Sequence, residues 1–227
     1  MIQHSLVTGV SDQHIYYFSE KTGIHKDVVK PWTNLVNAAN NAGFQLSIAS
    51  GYRSFERQLN IWNRKMTGKI PVYDMKQHQV DMATLTMEEK VHAIMTFSAL
   101  PGSSRHHWGT DIDVYDPTLL PEGQHLALEA WEYQKNGPFA PLTKWLNKNA
   151  QKFGFYFPYI EFQGGVAYEP WHVSYEPLAS SYLTVLTPDV LTSTLKACHI
   201  EGKDFIIANI EQLMNQYVYN INEASHG

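Results

Sequence analysis

The chain has 227 residues, 44% of them hydrophobic and 17% charged, enough to bury a sizeable core and too apolar for a disordered chain. A formal net charge of -5 leaves no basic excess for a phosphate backbone, which argues against nucleic acid as the partner. The single cysteine, Cys198, excludes an intramolecular disulfide and a thiolate cluster, so any metal must be held by histidine and carboxylate. No stretch reaches the ~18 apolar residues of a membrane span, and Met1 to Phe18 lacks a basic segment followed by an apolar run. The expectation is a soluble, cytoplasmic protein, or a periplasmic or cell-envelope one if a leader was removed.

Residues 1–24 read as an N-terminal arm with one aromatic cluster, Tyr16, Tyr17 and Phe18. From Val28, the apolar positions Trp32, Leu35, Val36 and Ala39 recur at helical spacing until Gly43. Phe44 to Ala49 alternates as a half-buried strand does and leads into Ser50-Gly51-Tyr52-Arg53. Ser54 caps a helix whose face is Phe55, Leu59, Trp62 and Met66, so Arg53 stands at a strand-to-helix corner and Gln58 one turn in. Residues 68–85 show no period. Thr86 and Glu89 form a capping box opening a helix that runs through Val91, Ile94, Met95 and Ala99.

His106 to Gly109 reads as a loop and Asp111 to Tyr115 as a short strand, with Asp111, Asp113 and Tyr115 on one face. Residues 117–138 read as loop, Pro141 opens a helix stopped by Gly154, and residues 155–157 and 171–175 read as strands joined through Gly164-Gly165. Residues 187–218 form two helical pieces around Gly202. The expected organisation is a domain over 1–180, including the arm, and a helical extension over 181–227.

Two pairs carry chemistry. His106 and Asp113 are seven residues apart, and Glu169 and His172 three apart; two histidines and an aspartate match the three protein ligands of a catalytic zinc site, with Glu169 as a candidate base. Each pair alone is a weak signal. Their joint occurrence with Ser104, Gly109, Trp171, Arg53 and Gln58 is not.

The chain resembles the zinc D-alanyl-D-alanine carboxypeptidases of the VanY type, metallopeptidase family M15. The resemblance rests on Ser50-Gly51-Tyr52-Arg53-Ser54 with Gln58, on Ser104, His106, Gly109 and Asp113, and on Glu169-Pro170-Trp171-His172, in that order across roughly residues 30–176. It implies an α+β fold with a small central antiparallel sheet flanked by helices, hedgehog-like, and one Zn2+ per chain held by His106, Asp113 and His172. It further implies Glu169 as catalytic base, Arg53 as substrate or oxyanion binder helped by Gln58, and Ser104 at the substrate carboxylate. The substrate would be a small peptide or muropeptide, losing a C-terminal D-amino acid. Trp171 is a candidate pocket wall.

Two positions depart from the family pattern. His107 reads as a group behind the ligands, an alternative ligand, or a polar loop residue; Asp111 either orients a ligand histidine or is solvated. A D,D-dipeptidase or a peptidoglycan endopeptidase would use the same ligands, and a non-catalytic zinc-containing binding protein would need neither Glu169 nor Arg53. The remaining histidines, such as His78, His92, His125 and His199, read as structural or surface residues, and Trp62, Trp131 and Trp145 as core.

Overall fold

The computed structural model describes residues 2–224. The N-terminal part, expected as an arm, holds a short helix and a hairpin. The helix α1 (His4–Val7) leads into a hairpin of β1 (Ile15–Ser19) and β2 (Thr22–His25), paired antiparallel. Along β1 only Ile15 is buried, and Tyr16, Tyr17 and Phe18 are exposed to solvent, so the aromatic cluster lies outside the core. Ile24, across from Tyr16 in the register, is fully buried and joins the core under the sheet.

Helix α2 (Val29–Asn41) buries Trp32, Leu35 and Ala39, the face expected from their spacing, and hands the chain to β3 (Ser47–Ser50). Ser54 accepts from the Arg57 N–H and starts α3 (Phe55–Met66). Thr86 and Glu89 form the capping box of α4 (Met87–Met95). This helix ends four residues short of Ala99. Gln58 Nε2 donates to the Ala99 carbonyl at 2.7 Å, and residues 97–99 turn out of the helix to wall a cavity.

A 3-10 turn over Arg105–Trp108 precedes β4 (Asp111–Tyr115), and the four-residue helix α5 (Ala130–Tyr133) interrupts the expected loop. Next come α6 (Ala140–Asn149), β5 (Phe155–Tyr156) and β6 (His172–Tyr175), then four helices: α7 (Glu176–Val185), α8 (Pro188–Lys196), α9 (Lys203–Ala208) and α10 (Ile210–Tyr217).

The sheet runs β3-β4-β6-β5, antiparallel throughout. Its period of two divides the labour. Ile112, Val114 and Val173 enter a core with Trp32, Leu35 and Leu142 from α2 and α6. Asp111, Asp113, His172 and Ser174 occupy the opposite face. A second core joins Trp62, Val91 and Ile94 of α3 and α4 to Tyr182, Leu191, Leu195 and Leu213 of the C-terminal helices. Trp62 Nε1 also donates to the Glu201 carbonyl at 3.0 Å, which ties α3 to the turn before α9. The C-terminal helices therefore complete the core on which α3 rests. Among the described residues, no helix is long and apolar enough to cross a membrane.

Candidate metal centre and cleft

Register places the central residues. Asp113 on β4 lies directly across from His172 on β6, and from Ser50 on β3. Cross-strand neighbours have Cβ atoms only ~5 Å apart, so a carboxylate and an imidazole meet here without any loop having to order. His106 arrives from the 3-10 turn, which closes at Gly109 in the left-handed region (φ 67°). A Cβ at Gly109 would come within 2.6 Å of the His25 N and of Ile15 Cδ1, so the hairpin packs where a side chain would sit.

One donor atom from each of His106, Asp113 and His172 lies within 4.8 Å of the other two, and all three residues are buried. His106 Nε2 is 3.4 Å from Asp113 Oδ2, and His172 Nδ1 is 3.2 Å from Asp113 Oδ1. Two ligands at ~2.05 Å across a tetrahedral angle stand ~3.3 Å apart.

The far side of each ring fixes its tautomer. His106 Nδ1 donates to the Gly51 carbonyl at 2.9 Å, so its Nε2 presents a lone pair to the site. His172 Nε2 donates to Asp111 Oδ1 at 2.9 Å, leaving Nδ1 to face Asp113, whose Oδ1 has no hydrogen-bond partner. A bare nitrogen lone pair opposing a carboxylate oxygen is repulsive unless a proton or a cation lies between them. Without a metal a proton serves. Burial alone would depress His172, but hydrogen bonds and charge from Asp111 and Asp113 outweigh it and lift the group to about 10. Burial holds His106 down at about 4, keeping its lone pair free. The donor set, the tautomers and the orphaned oxygen together fit a divalent cation.

Asp111 is fully buried and accepts four hydrogen bonds, from Arg105 Nε (2.6 Å), His172 Nε2 (2.9 Å), Thr110 Oγ1 (2.6 Å) and Ser174 Oγ (3.1 Å). Burial would raise its pKa; the Arg105 charge and these donors prevail and hold it well below the usual carboxylate range. It orients His172 and is not solvated. Arg105, the strongest partner of Asp111, carries no signal in the sequence pattern. Its guanidinium is buried, lies over the Trp108 ring at 4.8 Å and also binds Tyr156 and Ser174. Ser174, two residues beyond His172, was accessible to the alternation argument; Arg105 depended on a turn geometry that spacing does not reveal.

His107 is not part of the donor set. Its Nε2 accepts from the Gly102 N–H at 3.0 Å and its Nδ1 donates to the Arg53 carbonyl at 2.6 Å. Burial depresses it to about 3, so it is a neutral pin that holds the backbone of Arg53.

Around the trio lies a cavity of about 320 Å³, walled by Arg53, Ser104, Arg105, Tyr159, Glu169 and Trp171, among others. Glu169 Oε2 is 3.5 Å from His172 Nδ1. Burial, reinforced by Asp113, raises the Glu169 carboxyl to about 7 against the pull of His172 and Arg53. Arg53 donates to Gln58 Oε1 (2.9 Å) and Ser50 Oγ (3.3 Å), while its Nε is buried without a partner. Gln58 itself is fully buried, with one end of its amide on Arg53 and the other on Ala99. It stands behind Arg53 and does not line the cavity. Trp171 packs on Tyr133 (5.5 Å) and forms a wall, whereas Trp131 is half exposed and is no core residue.

Over residues 21–178 the chain matches the VanY family, described as D-alanyl-D-alanine carboxypeptidase. It is 42% identical over 125 residues to an uncharacterised protein of Haemophilus influenzae, covering 54% of this chain and 95% of that one. It is 29% identical over 145 residues to a D-alanyl-D-alanine carboxypeptidase of Enterococcus faecalis, covering 63% of this chain but only 44% of the relative. Among solved structures it resembles VanYB in complex with D-alanine-D-alanine, with a TM-score of 0.52, 26% identity and coverage of 78% and 86%. A zinc(II) complex of the vancomycin-resistance D,D-pentapeptidase VanY gives a TM-score of 0.50, 27% identity and coverage of 75% and 84%.

Proposed function

The chain belongs to the VanY family of D-alanyl-D-alanine carboxypeptidases, which are peptide-bond hydrolases, and from that premise we propose that it removes the single C-terminal D-alanine from peptidoglycan-type peptides ending in D-Ala-D-Ala. The observation that carries this reading is the meeting of three metal-donor side chains, a carboxyl raised by burial and a guanidinium around one cavity. His106 through Nε2, Asp113 through a carboxylate oxygen and His172 through Nδ1 would hold one Zn2+. When bound, zinc brings the pKa of water to about 7 and withdraws charge from a carbonyl oxygen.

Glu169 takes the proton from the attacking water as its oxygen adds to the scissile carbonyl carbon. It returns that proton to the amide nitrogen as the C–N bond breaks, so the D-alanine leaves as a neutral amine. In the metal-free protein burial raises the Glu169 carboxyl above the ordinary carboxylate range, the direction that lets one group accept a proton and then give it back. Arg53, fixed by Gln58, Ser50 and the His107 pin, donates to the oxyanion, and its charge does not depend on pH. Ser104, on the same wall, contacts the terminal carboxylate.

The test is Glu169→Gln. It should bind one zinc per chain as the parent does, while release of D-alanine from a pentapeptide, followed by mass spectrometry, falls about 10²- to 10⁴-fold. Undiminished hydrolysis would remove Glu169 from the mechanism. Loss of a dipeptide from the parent's substrate would select a D,D-dipeptidase, and cleavage only of cross-linked muropeptides an endopeptidase.

A further inference from the structure

A second cavity of about 400 Å³ adjoins the first. The two share Phe97, Leu128 and Trp171 as walls and so form one cleft with two lobes. A substrate that gives up its C-terminal residue has that residue contained, and only its acyl side continues outward. The second lobe offers that continuation, with Tyr73 and Met75 half exposed along it.

The partition is a built feature. Leu128 has φ 55°, a conformation that a branched side chain adopts only when its surroundings impose it. The imposing group is Glu132, buried, whose carboxylate accepts from the N–H groups of Ala127 (3.1 Å) and Glu129 (2.9 Å) on either side of Leu128.

Lys65, in the last turn of α3, lines the second lobe and donates from Nζ to Ser98 Oγ at 2.9 Å; Ser98 lines the first. The ammonium therefore sits at the seam between the lobes. It has three donors, and the bond to Ser98 uses one. Among the described residues it makes no ion pair, although Glu169 and Arg53 are close enough to be felt. A half-buried cation without a counter-ion is costly unless a ligand supplies the opposite charge.

We propose that Lys65 reads a carboxylate on the acyl side of the scissile bond, so that the preferred substrates carry an acidic side chain on the residue before the D-Ala-D-Ala pair. This rests on the carboxypeptidase reading above and adds to it a specificity that the metal site does not contain.

The experiment compares three N-acetylated tripeptides, X-D-Ala-D-Ala, with X as glutamate, its neutral isostere glutamine, and lysine. The zinc-loaded parent should favour glutamate over glutamine by about tenfold in kcat/KM, the worth of one charge-assisted hydrogen bond, and lysine should be poorer still. Lys65→Met should bring the glutamate-to-glutamine ratio to within about twofold of unity, and Lys65→Arg should retain most of it. Because the ratio is taken within each variant, a general loss of activity cancels. Equal rates for glutamate and glutamine in the parent, or an undiminished ratio in Lys65→Met, would overturn the proposal; the second result would mean that Lys65 serves the terminal carboxylate or the fold. If zinc-loaded parent cleaves none of the three, the carboxypeptidase reading fails first, a separately recognisable outcome.

Discussion

Asp111→Asn keeps the shape of a buried side chain and removes its charge, so it separates the two services that Asp111 provides. An amide can keep its oxygen toward Arg105 and His172 and turn its NH2 toward Thr110 and Ser174, whose hydroxyls accept as readily as they donate. What disappears is the counter-charge of a guanidinium that is 3% exposed. Stranding one member of a buried ion pair costs about 3–5 kcal/mol, which urea denaturation of the metal-free protein measures. His172 also loses the anion that supports its basicity, so zinc affinity, measured by competition with a chromogenic chelator, should fall ~10- to 100-fold. The double variant Arg105→Met with Asp111→Asn distinguishes the effects. No charge is stranded in it, so most of the stability should return, while zinc affinity stays low. A single variant with parental zinc affinity would refute the orienting role of Asp111, and a double variant as unstable as the single one would refute the stranded-charge argument.

Gln58→Leu should leave zinc content unchanged and lower kcat about tenfold to a hundredfold, because Arg53 loses the acceptor that aims it; a kcat within about twofold of the parent would make Gln58 a packing residue. Gly109→Ala should destabilise the protein by roughly 2–4 kcal/mol through backbone strain and the clash with the hairpin, and a denaturation midpoint equal to the parent's would contradict that packing. Stability should also fall on acidification. Burial depresses His14 to about 4, so from its unfolded value near 6.5 downward the unfolded chain binds more protons than the native one. The stabilisation is complete above pH ~6.5 and is lost as pH falls toward 4, with an upper size on the order of 3 kcal/mol. In His14→Gln, the decline of the thermal midpoint between those pH values should be shallower; an identical decline would assign the acid sensitivity to other groups.

Much of the centre was legible because it lies on strands. The period of two puts Asp111 and Asp113 on one side of β4 and the core residues Ile112 and Val114 on the other, and no tertiary knowledge is needed to see it. Helices α2, α3 and α4 were legible from their caps and stripes. The rest depended on long-range pairing. Arg105 and His107 flank His106 in sequence, yet one reaches Ser174 and Tyr156 and the other the backbone of Arg53. Local pattern cannot rank those partners. The N-terminal hairpin escaped notice because β1 buries one residue of five, so its apolar cluster signals no core.

The direct opposition of Asp113 and His172 has a consequence for how the molecule comes to its native state. Displacing β4 by one residue against β6 would turn Ile112 and Val114 toward Arg105 and send both aspartates into the apolar layer beneath the sheet. A slipped sheet would thus lose its donor trio, its buried ion pair and its core in one step. Zinc uptake is for that reason a direct readout of strand register: any population that holds the ion tightly has its central strands correctly aligned.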